Sequence, residues 1–322
     1  MPVNDLGYRE WEGDHTPSWR RWWVITRRGI AHAWKSKWVR RLFVLAWVPA
    51  LYFGFLFLGY EWYVDNKSEM KAGAAIEENV ASQALNAAEF LPSFLRKKLI
   101  EHPEQVRSDL WAYLLQVFFR APQFFLMVVM IGLVAPELIA NDFRSSAFVL
   151  YFSRPITVLE YMLGKAGVVW FYTALVTTGP TLALYLFGIV LSPDLSVALK
   201  TIHLPLRILG ASVVLFLPTA VLVLLFSALT TRIRFARFGW YAVWILGYIA
   251  YASLAGVEQY SGSEGGYWYL LSLYHMLGRV EGWVFGVQVS FADARIALLI
   301  LSAGTAAAAT YLYVTIARGI HS

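Results

Sequence analysis

The stretch Asn141–Lys165, "NDFRSSAFVLYFSRPITVLEYMLGK", decides how this chain is read. It carries Asp142, Arg144, Arg154, Glu160 and Lys165, with a proline at 155. Long apolar runs flank it on both sides. A charged, partly amphipathic segment between two such runs is either a loop that fixes topology or an element that touches something outside the bilayer.

Composition settles the class. Of 322 residues, 58% are hydrophobic and 15% are charged, and the mean hydropathy is +0.53. Soluble domains carry roughly 25% charged residues. The apolar residues form runs near 42–60, 120–138, 160–190, 206–230, 238–257 and 295–317. Each is long enough to cross a hydrocarbon core of about 30 Å. Continuous rather than alternating runs predict helices, not a barrel. The fold class expected is therefore an all-α polytopic membrane protein with six transmembrane helices.

Lysine and arginine predict the orientation. Arg20, Arg21, Arg27, Arg28, Lys35, Lys37, Arg40 and Arg41 precede the first run, and no acidic residue lies between Asp14 and Glu61. The loops with Arg144 and Arg154, and with Arg232, Arg234 and Arg237, fall on the same side, as does Arg318. Both termini are expected in the cytoplasm, with the chain multi-pass in the inner membrane. The first 18 residues lack the basic-then-apolar pattern of a signal peptide, so the N-terminus is expected to stay with the protein.

The expected organisation is a polar N-terminus (1–16), an amphipathic helix at the membrane interface (17–38) and one membrane domain (42–317). The interfacial helix rests on Trp19, Arg20, Arg21, Trp22, Trp23, Arg27, Arg28 and Trp34, aromatic bodies with basic heads. Two outer segments complete the domain. In 61–109, Pro103 with Glu104 reads as a fresh helix start. In 258–294, Gly278, Gly282 and Gly286 interrupt an aromatic stretch, which predicts a short helix or re-entrant pair. The small residues Ser302–Thr310 predict close packing against helices of the same chain.

Several chemistries are excluded. The chain has no cysteine, hence no disulfide and no thiolate ligand. It has no P-loop, no H-E-x-x-H and no G-x-S-x-G motif. No catalytic residue, bound cofactor, metal or nucleic acid is expected. Arg120, in "QVFFRAPQFF", is the candidate pathway or interface residue. The simpler reading starts the second span at Pro122 and lets Arg120 snorkel to the outer headgroups. Pro180 and Pro218 are candidate kinks.

With these residues in place, "ELIANDFRSSA", "FVLYFSRPI" and "EYMLGK" resemble the permeases of the ABC-2 type, the membrane subunits of ABC exporters. Asp142, Arg144, Ser145, Ser146, Ser153, Arg154, Pro155, Gly164 and Lys165 occupy the motif's places. Ser146 stands where glycine is frequent, and the outer segment after the first span is larger than usual. The resemblance implies a cytoplasmic coupling helix between spans 2 and 3. Asp142, Arg144, Ser145, Phe148, Tyr151, Arg154 and Pro155 would meet a separate ATPase subunit, with charges setting register and apolar side chains anchoring. It implies ATP and Mg in that partner, and a second permease copy or paralogue beside this chain in the lipid bilayer. Two other readings stay open. One is a force-transmitting subunit acting on an extracytoplasmic partner at 61–109. The other is a secondary carrier or membrane scaffold without an ATPase.

Overall fold

The computed structural model describes residues 20–70, 91–92, 95–96, 103–145, 151, 156–192, 196–261, 266–287 and 290–321. Among them there are helices and turns and no strand. Six helices are long and apolar enough to cross a membrane: Lys37–Trp62, Leu126–Arg144, Val158–Leu191, His203–Ala228, Ile233–Glu258 and Phe291–Arg318. The chain is an all-α protein of the multi-pass membrane type.

The elements that place the site are α1 (Arg21–Trp34), α2 (Lys37–Met70), α3 (Pro103–Arg120), α4 (Leu126–Val134), α5 (Pro136–Arg144), α6 (Val158–Val176) and α7 (Thr178–Leu191). A short α8 (Ser196–Lys200) leads to α9 (His203–Ala228), α10 (Ile233–Ser261), α11 (Leu273–Phe285) and α12 (Phe291–His321). Helix α9 is the central pillar. It touches α5, α6, α7, α10, α11 and α12, and buries Ile208, Ala211, Leu215, Thr219 and Val223.

The second span departs from its expected 120–138. It is a broken rod that begins with α3. Arg107 pairs with Glu61 at 2.8 Å, Trp111 meets Phe57 and Phe118 meets Phe53. Partners therefore descend along α2 as α3 ascends, so the two helices run antiparallel. Arg120 lies beyond Phe118, hence more than about 12 Å down the bundle from Glu61. It lies inside the bundle, away from the Glu61 end where the snorkelling reading puts it. The apolar stripe Val106, Leu110, Trp111, Leu114, Leu115, Phe118 and Phe119 is buried, and carries α3 inward despite its polar residues.

Two prolines break this rod. Pro122 sits in a 3₁₀ turn, Ala121–Gln123. Pro136 opens α5 and has no N–H for the Gly132 carbonyl one turn back. Arg237 of α10 supplies the missing donor, Nε to Gly132 O at 3.1 Å. Ser227 of α9 takes the Ile139 and Ala140 amides at 3.0 Å each. Its hydroxyl then donates to the Pro136 carbonyl at 3.0 Å. The third span bends at Thr177, three residues before Pro180. Pro218 lies inside an unbroken α9.

Between α10 and α12 the chain doubles back. The Leu271 carbonyl lies against Gly247, halfway along α10. Tyr251 stacks on His275 with ring centroids 3.6 Å apart. Helix α11 then returns and ends at Gly286, φ 74°, where the left-handed conformation favours glycine. Arg207 of α9 donates to the Phe285 carbonyl at 2.6 Å.

Helix α1 docks on α6. Trp22 and Ile25 meet Gly164, Thr26 meets Gly164 and Gly167, and Gly29 meets Val168. Further along, Tyr172 donates to the Ile30 carbonyl at 2.9 Å. Partner numbers rise together, but α1 advances from Trp22 to Gly29 while α6 advances only from Gly164 to Val168, so α1 crosses α6 obliquely. On its free side Trp23, Val24 and Trp34 are exposed, the face that an interfacial helix would present to lipid.

One expectation is overturned. Ser302, Ala303, Gly304, Ala306 and Ala307 of α12 are exposed, and a Cβ at Gly304 would meet nothing within 4 Å. The small residues leave that face of α12 uncovered by this chain. The two glycine environments make a matched test. A Cβ at Gly164 would lie 2.7 Å from Ile25 Cβ and 2.9 Å from the Trp22 carbonyl. Gly164→Val should cost about 1–3 kcal/mol and free α1 for trypsin cleavage at Arg27 and Arg28. Gly304→Val should change thermal stability in detergent by less than about 0.5 kcal/mol.

Candidate functional site

The end of the second span and the head of the third meet through side chains. Helix α5 closes at Ser145, whose hydroxyl donates to the Asn141 carbonyl at 2.8 Å. Helix α6 opens with a capping box. The Thr157 hydroxyl accepts from the Glu160 amide at 3.2 Å, and Glu160 accepts from the Thr157 amide at 2.8 Å. Such a cap is worth about 1 kcal/mol. The two helix ends are thus fixed on either side of residues 146–155.

Asp142 and Lys165 join them. Lys165 Nζ lies 2.7 Å from Asp142 Oδ2, with side-chain exposures of 8% and 14%. The same oxygen accepts from Tyr161 OH at 2.7 Å. The ammonium sits 5.6 Å from the Tyr151 ring centroid and 5.3 Å from that of Tyr161. Each charge therefore has a partner in a mostly dry setting. Burial, reinforced by the Asp142 carboxylate, pushes the Tyr151 hydroxyl above its ordinary value.

The expected coupling residues divide accordingly. Arg144 and Ser145 are exposed, as a docking element requires. Asp142 points inward, so the role expected for it, an outward charge that sets register with a partner, is not open to it in this arrangement. Tyr151 is half-buried over Lys165. Phe148, Arg154 and Pro155 lie outside the described residues, as does Trp19 of the interfacial set. Of that set, Arg20, Trp23, Arg27, Arg28 and Trp34 are exposed, and Arg21 and Trp22 half-buried. Gly164 and Lys165 do different work than a motif suggests. The glycine admits α1, while the lysine, one residue on, turns to α5.

A cavity of about 720 Å³ adjoins the ion pair. It lies between α1, the start of α2, α4, α5 and α10, and Asp142, Lys165 and Arg237 line it. All of these elements contribute the same end of the bundle, the end that carries most of the basic residues.

Arg120 belongs to a second polar cluster, between α3 and α11. Its Nε is 3.9 Å from Glu281 Oε2, and its Nη2 donates to the Tyr274 carbonyl at 3.3 Å. The guanidinium lies 4.5 Å from the Tyr274 ring centroid and fills the space that a side chain at Gly278 would need. Gln123 donates to Glu281 Oε1 at 3.1 Å and to the Phe119 carbonyl at 3.3 Å. Glu281 and Gln123 are fully buried. Glu281 was not singled out from the sequence, because "GRVEGW" reads as an outer segment. Its one signal in the sequence is Gly278, three residues before it, whose missing side chain leaves the room that Arg120 fills.

The described residues hold no group of three or more His, Asp or Glu side chains able to bind a metal. Compared with known proteins, the chain matches no family model, and no curated protein matches it.

The ion pair yields a double-mutant test. Asp142→Asn or Lys165→Met alone should destabilise by about 3–5 kcal/mol, because each leaves a buried charge unpaired. The two together should recover more than half of that loss in thermal melts. Additive losses would mean the two groups do not act as a pair.

Proposed function

We propose that this chain is the membrane-spanning permease subunit of an ABC-2 type transporter. In this reading a separate ATPase chain binds ATP and Mg, and this chain couples its motion to export of a substrate. Two permease subunits, identical or paralogous, would stand side by side, with the basic end and both termini in the cytoplasm. The observation that supports it most is the joint at that end. The Asp142–Lys165–Tyr161 contact ties α5 to α6, and Gly164 and Gly167 tie α6 to α1. A short segment rooted in such a joint would not move alone. Displacement of residues 146–155 would tilt α5, α6 and α1 as a unit, which is how a domain motion enters a helix bundle.

One observation favours a second reading. Glu281 and Arg120 form an ionisable pair in the bundle interior, and such pairs also serve ion-coupled carriers. A carrier would need no ATPase.

The test is a pull-down of tagged chain from native membranes in mild detergent, with partners identified by mass spectrometry. Because Asp142 is structural, the probing substitutions are Arg144→Glu with Arg154→Glu. A P-loop ATPase should accompany wild type and be lost from this variant, while its elution in gel filtration stays unchanged. If wild type brings down no ATPase under conditions that hold other membrane complexes together, the transporter reading fails. Uptake driven by an ion gradient would then establish the carrier.

A further inference from the structure

Helix α1 has three faces. One packs on α6 through Trp22, Thr26, Gly29 and Ile30. One is exposed and carries Trp23, Arg27 and Trp34. The third holds Arg28, His32 and Lys35, spaced i, i+4, i+7 on one side of a helix, and it lines the cavity of about 720 Å³. That volume falls in the usual range of ligand sites.

The charges in the cavity do not balance. Glu137 and Asp142 are its acids. Glu137 lies 3.4 Å from Arg237 and Asp142 lies 2.7 Å from Lys165. Arg28 and Lys35 have no acidic partner among the described residues. A further polar group lines the cavity: Asn141 Oδ1 is buried and accepts no hydrogen bond. The space thus offers cations for a phosphate, and at its wall an unsatisfied acceptor, Asn141 Oδ1, that a side-chain rotation would present to a hydroxyl.

Its level in the bundle identifies the source. The cavity lies where α2 and α10 begin and α5 ends. Beside it, Trp34 and Trp38 are exposed, and exposed tryptophans flanked by arginine belong at the headgroup layer. We infer that this cavity binds the headgroup of an anionic phospholipid, with its phosphate at Arg28 and Lys35 and a headgroup hydroxyl at Asn141. Phosphatidylglycerol has that chemistry; phosphatidylcholine has neither the net charge nor the hydroxyl. The lipid would wedge α1 against α5 and hold the joint at the ion pair. The inference stands whether or not the chain works with an ATPase.

The experiment uses the full chain, delipidated in detergent and offered phosphatidylglycerol or phosphatidylcholine, with bound lipid read by native mass spectrometry. Wild type should retain phosphatidylglycerol in preference to phosphatidylcholine. Arg28→Gln with Lys35→Gln should weaken phosphatidylglycerol binding about thirtyfold, as expected for two basic groups at a lipid surface. Arg232→Gln with Arg234→Gln removes the same charge at the same end of the bundle from residues that do not line the cavity, and should weaken binding by no more than about threefold. Thermal melts check that both variants are folded. Equal loss in both variants, or equal retention of the two lipids, overturns the inference. Displacement of the lipid by inorganic phosphate at millimolar concentration also overturns it, because the cavity would then be a site for free phosphate. So does loss of a co-purifying ATPase from the Arg28, Lys35 variant with lipid retention intact, because the cations would then serve a protein partner.

Discussion

In an apolar bundle a broken helix is tolerated only where something else satisfies its backbone. Pro136 imposes that condition here. It removes one donor from the second span, and Arg237 returns a donor to Gly132 from α10. Ser227 of α9 uses its oxygen as acceptor twice and donor once around the same break. The break is therefore held by two other spans. Once its backbone is secured there, α5 can leave the line of α4 and carry Asp142 to Lys165 on α6.

The Asp142–Lys165 pair is better understood as a device for register than for stability. Burying two charges costs several kcal/mol, which their attraction and hydrogen bonds offset only when the geometry is good. Tyr161 gives Asp142 a second donor, and the Tyr151 and Tyr161 rings lie near the ammonium. Any other rotation of α6 would leave one charge unpaired, which is far costlier than misplacing a leucine. The glycines at 29, 164 and 167 act in the same sense. They let α1 approach α6 closely in one register, and a larger side chain would block it. Polar and steric constraints thus define a single arrangement of α1, α5 and α6, whereas lipid-facing apolar surface alone would permit sliding.

The sequence made the spans legible because hydropathy over about 20 residues is a strong signal. It was weaker wherever burial came from the protein rather than the lipid. Helix α3 was seen as a start at Pro103 but not as a buried element. Its Arg107, Asp109 and Arg120 dilute the hydropathy that its stripe from Val106 to Phe119 would otherwise show. Arg120 looked like a snorkelling residue because its partner, Glu281, is 161 positions away in a glycine-interrupted stretch. The small residues of α12 were expected to pack inward; small residues permit close approach without saying which side will use it. Around the candidate site, the residue types at 142, 144 and 165 were readable, but the inward turn of Asp142 was not. That turn is seen in its contacts with Lys165 and Tyr161 on α6, a pairing across two helices that no local pattern in the sequence announces.

The two polar clusters put unequal demands on motion. At the basic end, the ion pair, the capping box and the α1 glycines form a joint in which Asp142 Oδ2 meets both Lys165 Nζ and Tyr161 OH at 2.7 Å. Around Arg120 the contacts are longer. The Arg120–Glu281 distance is 3.9 Å, and Gln123 Oε1 and Glu281 Oε2 accept no hydrogen bond. A cluster with unsatisfied buried acceptors sits higher in energy than its surroundings. It therefore gains most from a rearrangement that shortens its contacts. If force enters at residues 146–155, it reaches α4 across the break at Pro136 and then the 3₁₀ turn at Ala121–Gln123, where Gln123 and Arg120 meet α11. The stiff joint would transmit the displacement and the loose cluster would absorb it. Helices α5, α6 and α1 would then move as one body, and the contacts that rearrange would be those between α3 and α11.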